Sequence, residues 1–170
     1  IVQDKFNAIK NQLIQEFLNH PITQEIKAGP NASNSSGTLN GKGNLFSFIG
    51  FYDGDDPIQE ILNILESIEI KFIKDIPSGN QFIVNFPEPS EIFAVTPMPW
   101  ASGRSWAKGI ESGISGLGYY LFRKSSKSRS GEALQTSVNL NGTRFKNTKY
   151  ISALLAKYKK QLINLILKVI

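Results

Sequence analysis

Apolar residues recur along residues 2–19 at spacings of four and three: Val2, Phe6, Ile9, Leu13 and Phe17, with Lys, Gln, Asn and Glu between them. That is the period of an amphipathic helix, and Pro21 is placed to end or kink it. At the other end, Ile151, Leu155, Tyr158, Leu162, Leu165 and Val169 step by four, three, four, three and four. This a/d pattern predicts a long helix over 147–170. Leu154 and Ile166 widen its stripe, Lys157, Lys159, Lys160 and Gln161 take the opposite face, and Asn147 or Thr148 is the expected cap.

The middle of the chain reads mainly as short strands. Residues 45–51 (LFSFIGF) are rich in aromatic and β-branched types and predict a strand. Asp55 or Asp56 is then expected to cap a short helix with Pro57 in its first turn and a stripe of Ile58, Ile61, Leu62, Leu65 and Ile68. Two strand-like runs, 69–76 and 81–86, flank PSGN, a hairpin signal. Four prolines lie within 87–100, and Pro97, Met98, Pro99 and Trp100 cannot be a central strand or helix interior. They predict a fixed crossover, with a single turn at 90–93, ending in Trp100 as a large aromatic anchor. A glycine-interrupted helix is expected over 102–115, then strands over 117–122 and 133–140.

Residues 28–44 (AGPNASNSSGTLNGKGN) carry almost nothing to bury and predict a long loop. Asn31, Asn34 and Asn141 match the glycosylation acceptor pattern, which is commonplace in Ser/Asn-rich sequence. A basic loop is expected over 123–131. The pattern as a whole predicts one α+β domain over 1–170. A mainly antiparallel sheet is flanked by an N-terminal amphipathic helix and a long C-terminal helix.

Charge sharpens this picture. Residues 1–100 hold 6 Lys/Arg against 12 Asp/Glu, a net −6, whereas residues 101–170 hold 13 against 2, a net +11. Such a split suggests head-to-tail docking between copies or a basic face for nucleic acid. The plain alternative is a solvated basic helix and loop.

Candidate chemistry is sparse. There is no cysteine, which removes disulfides, thiolate metal sites and thiol catalysis. His20 is the only histidine and, before Pro21, reads as a surface or capping residue. Asp53, Asp55 and Asp56 lack the spacing of a calcium loop. The Gly37–Gly43 stretch breaks the phosphate-loop order, since Gly41-Lys42 is followed by Gly43. No serine is linked by any motif to a base. No catalytic residue, metal ligand or cofactor is therefore expected, and the chain reads as a non-enzyme. The apolar run from Leu162 to Ile170 is broken by Asn164 and Lys168 and is too short to span a bilayer, so no membrane role is expected.

The stretch Ser36-Gly37-Thr38-Leu39 followed by Leu45-Phe46-Ser47-Phe48-Ile49-Gly50, after an amphipathic first helix, resembles tail-completion and neck proteins of tailed bacteriophages. Those proteins run helix, loop, strand. Trp100-Ala101-Ser102-Gly103-Arg104-Ser105-Trp106 and Ser128-Arg129-Ser130-Gly131 are similar in flavour to virion proteins of large tailed phages. The likeness covers about a third of the chain in scattered pieces. It implies an α+β head–tail connector subunit in the virion, assembled in the host cytoplasm. Copies would form a ring between the portal-connector and the tail tube or sheath, with no catalytic residues to carry over. On this reading Ser36, Gly37, Thr38, Leu39 and Lys42, with Trp100 and Trp106, are candidate interface residues. Arg123, Lys124, Lys127 and Arg129 are candidates for contact with packaged DNA or an acidic partner. The second reading is a basic nucleic-acid-binding domain using the same loop, with Tyr119, Tyr120 and Phe122 available for stacking.

Overall fold

The computed structural model describes residues 2–114, 119–122, 124–131, 133–136 and 145–167. Helix α1 (Val2–Asn19) buries Phe6, Leu13 and Phe17, as its period predicts. Pro21 does more than end it: it opens a second helix, α2 (Pro21–Lys27), from its first turn. His20 caps α2, its Nδ1 accepting a hydrogen bond from the Ile22 amide at 3.2 Å.

Residues 45–51 form no strand. They fold as α3 (Leu45–Ile49), a short helix in which all five residues are buried. A short run of unbroken apolar residues has no period to separate strand from helix, so the ends decide. Asn44 accepts from the Ser47 amide at 2.9 Å, and Gly50 closes the helix at φ 93°, a conformation that favours glycine. The expected cap of α4 (Gln59–Glu66) is also displaced. Asp55 accepts from the Tyr52 amide (2.8 Å) and Asp56 from the Ile58 amide (3.3 Å), so both shape the turn before the helix. The stripe itself holds: Ile58, Ile61, Leu65 and Ile68 are buried.

β1 (Glu69–Ile76) and β2 (Gly79–Asn85) make the expected antiparallel hairpin, with a bulge between Phe72 and Lys74. The crossover contains α5 (Pro89–Ala94), its first turn closed by the Glu91 carboxylate accepting from the Glu88 amide at 2.9 Å. β3 (Pro97–Met98) then pairs with β4 (Ala101–Ser105), and α6 (Trp106–Ser112) begins later than its pattern suggested because 101–105 are strand. β5 (Tyr119–Phe122) pairs antiparallel with β6 (Ala133–Thr136). The fold is α+β with antiparallel pairing, distributed among the described residues over three two-stranded ribbons.

The last helix, α7 (Ile151–Leu167), lies against α1, and α4 also packs on α1. Neither Asn147 nor Thr148 supplies its cap. Instead Glu111 of α6 accepts from the Ser152 amide (2.7 Å) and hydroxyl (2.6 Å), while the Thr148 amide donates to the Ile110 carbonyl. One apolar cluster draws on all seven helices, with Trp106 and Tyr150 among its largest fully buried side chains.

Candidate docking surfaces

The 28–44 segment carries more interior than its composition suggests. Its organiser is Glu25, 1% exposed on α2. One carboxylate oxygen accepts from the Asn34 side-chain amide (2.9 Å) and the Leu45 backbone amide (2.7 Å), and the other from the Ser36 amide (2.9 Å). Asn34 in turn accepts from the Leu39 and Gly41 amides. Leu39 and Thr38 are fully buried, and the Thr38 carbonyl accepts from the Lys146 amide at 2.8 Å. Thr38 and Leu39 are therefore core residues and not interface residues. Ser36 is half-buried within the network, and only Gly37 and Lys42 of the candidates lie at the exposed surface. Asn34 is buried, which rules it out as a glycan acceptor in this fold. Glu25 was not singled out from sequence, and Asn34 only as a match to the glycan-acceptor pattern. The legible signal was a glutamate set between Ile22 and Ile26 on the apolar side of a helix.

The tryptophans part company. Trp106 is 1% exposed and meets Phe51 edge-on at 5.8 Å, so it is core and not interface. Trp100 is half-buried and donates its indole N–H to the Ile49 carbonyl at 2.8 Å. The basic loop also divides. Arg129 donates from Nε to the Gly50 carbonyl at 2.6 Å, whereas Lys124 and Lys127 are exposed. Arg123 lies outside the described residues. Trp100 and Arg129 thus both hold the C-terminal end of α3, where helix carbonyls lack partners. A Cβ at Gly50 would run into the Arg129 guanidinium.

The surface that stands out is the β1–β2 hairpin. Five large apolar side chains are exposed among the described residues, and three of them are here: Phe72 (53%), Ile73 (50%) and Ile83 (57%). The register places Ile70 opposite Val84 and Phe72 opposite Phe82, all on one face. Ile70 and Val84 pack on the core, while Phe72 and Phe82 pair edge-to-face at 5.8 Å further out. The apolar strip therefore runs from the body out along the ribbon. Ile83 faces the other way beside Lys71, and Ile73 sits at the bulge. Lys10 anchors the base, its ammonium donating to the Glu66 and Ile68 carbonyls at 2.5 and 2.9 Å. A two-stranded ribbon is marginal alone and is stabilised by covering one face.

Titratable groups form one notable cluster, at the α1–α7 contact. The Glu16 carboxylate accepts from Lys157 (2.5 Å) and the Tyr158 hydroxyl (2.6 Å), and these bonds hold it below its usual range. Burial, aided by that bond, pushes Tyr158 up to about 12. Burial lowers His20, with nearby Glu16 opposing, and its ring lies 4.9 Å from that of Tyr150. Every member has a structural partner. Among the described residues no group of three or more His, Cys, Asp or Glu could hold a metal ion, and no helix is long and apolar enough to cross a membrane. No protein family, curated protein or solved structure matches this chain.

Proposed function

We propose that this chain is a structural subunit that works by docking onto neighbouring subunits of a larger particle through the β1–β2 hairpin. The observation that carries this is the exposure of Phe72 on one face and Ile83 on the other, with Ile73 at the bulge, each half or more exposed on a ribbon of which only the base packs on the core. Covering each such side chain contributes about 1 kcal/mol or more. Exposed apolar patches of this kind mark interaction sites.

The setting follows the resemblance: a ring in the neck or tail-completion region of a tailed-phage virion. Its support is sequence alone, and its strand leg is the helix α3. The docking reading does not depend on that leg. A second reading, nucleic-acid binding, is favoured by exposed Lys124 and Lys127 on the basic loop.

The test is native mass at low and high salt, with and without DNA, for the wild type and for F72S/I73S/I83S. A discrete oligomer, or a monomer that assembles with particle components, is expected, with assembly lost in the triple variant. A monomer whose mass shifts with DNA only at low salt would replace the docking reading with the second one.

A further inference from the structure

Hollows of opposite character lie on either side of Pro97. One, of about 370 Å³, has Phe51, Val95, Pro97 and Trp106 in its lining and Asp55, Asp56 and Glu60 as its carboxylates. All three acids are exposed, and Tyr52 beside them is 56% exposed. Beyond Pro97, two adjoining hollows of about 270 and 360 Å³ run along β4 and α6. They share Gly103, Arg104, Ser105 and Lys108, and among the described residues no carboxylate lines either. An acidic rim and a cationic groove therefore flank the short β3 strand.

We infer that this ridge is a two-fold interface between copies of the chain, the acidic rim of each facing Arg104 and Lys108 of the other. Adjacent patches of opposite sign are self-complementary under a 180° rotation, which brings each onto its opposite twice. The two patches thus point to a symmetric pair, whereas head-to-tail docking was one of the arrangements that the charge split suggested from sequence. A small anion or a nucleic-acid backbone suits the groove alone, but laid there it meets three carboxylates across the ridge. A partner carrying both signs does not. The acidic side is also preset: Asp55 and Asp56 are held by the Tyr52 and Ile58 amides yet keep acceptor capacity, which lowers the ordering cost of association. Arg104 is steadied over the Trp100 ring at 5.9 Å. The inference rests on the docking reading but uses a different surface from the hairpin.

Sedimentation equilibrium of the full chain tests it. The wild type should dimerise, and the dimer should weaken between about 50 mM and about 0.5 M salt as screening shortens. R104E/K108E and D55K/D56K should each dimerise at least about tenfold more weakly. Mixed one to one, they should form a heterodimer, because reversal on both sides restores both contacts. The chain has no cysteine, so D56C mixed with K108C should give a disulfide-linked heterodimer in preference to either homodimer. That result stands even if a reversed variant fails to fold. A salt-insensitive dimer lost in F72S/I73S/I83S but kept in R104E/K108E overturns this interface and leaves hairpin docking intact. A wild type that stays monomeric, or a monomer that binds DNA through Arg104 and Lys108, overturns it outright.

Discussion

The 28–44 loop and the β1–β2 hairpin invert what their sequences suggest. The loop is Gly, Ser and Asn, yet a single buried carboxylate ties it down, and Thr38 and Leu39 sit in the core. The hairpin is a hydrogen-bonded ladder with the strand pattern its sequence predicts, yet it leaves Phe72, Ile73 and Ile83 in water. Polar composition does not mean a free surface when the polar groups satisfy one another internally. A regular hydrogen-bonded ladder does not mean burial when only its base meets the body.

The sharpest way to break this contrast is at Glu25. Removing its carboxylate leaves the half-buried Ser36 amide and the buried Leu45 amide without their acceptor, while the Asn34 side-chain amide keeps only its longer bonds to the Ser36 and Thr38 hydroxyls. Glu25→Ala should destabilise the fold by about 4 kcal/mol, read by thermal melting, and amide exchange across 34–45 should rise first. Unchanged exchange there would mean that the loop is held by something else. Gly50→Ala comes next, at about 2 kcal/mol, because φ 93° and the Arg129 side chain both oppose a Cβ. Chemical denaturation measures it, and a neutral result would detach the basic loop from α3.

A third effect is pH-dependent. The His20 cap needs an unprotonated Nδ1, and burial lowers the folded-state affinity for a proton below the ordinary value near 6.5. The unfolded chain therefore binds the proton more readily. The stabilisation is full above pH 6.5 and is lost as pH falls below it toward the folded-state value. Glu16, also lowered, loses its contribution only at more acidic pH, below 4.5. Melting from pH 7 to pH 5 should show the first loss in the wild type and not in His20→Asn, which keeps a cap without titrating. The smallest effect on stability should come from F72S/I73S/I83S, within about 0.5 kcal/mol per site, even as assembly is lost. A large loss of stability would show that the hairpin is part of the fold and not an appendage.

The elements that were legible in sequence are those with a long period and one wet face. α1 and α7 repeat over several turns, the α4 stripe is clear, and the hairpin turn is signalled by PSGN. What escaped either lacks a period or depends on a partner distant in sequence. α3 is buried on all sides, so no alternation could identify it. The cap of α7 comes from Glu111, 41 residues away, and local Asn147 and Thr148 were the wrong place to look. Trp106, a candidate interface residue from sequence, is buried in the core. The basic loop looked uniform, whereas Arg129 is committed to Gly50 and its neighbours Lys124 and Lys127 are presented outward.

The two donors that meet at the end of α3 have a kinetic consequence. Trp100 and Arg129 reach the Ile49 and Gly50 carbonyls across 51 and 79 residues of chain. A five-residue helix cannot nucleate alone, and closing loops of that size is entropically slow. α3 should therefore consolidate late, together with the contacts from Trp100 and Arg129. Substitutions within it will act on how fast the native state opens and leave the rate of its formation nearly unchanged.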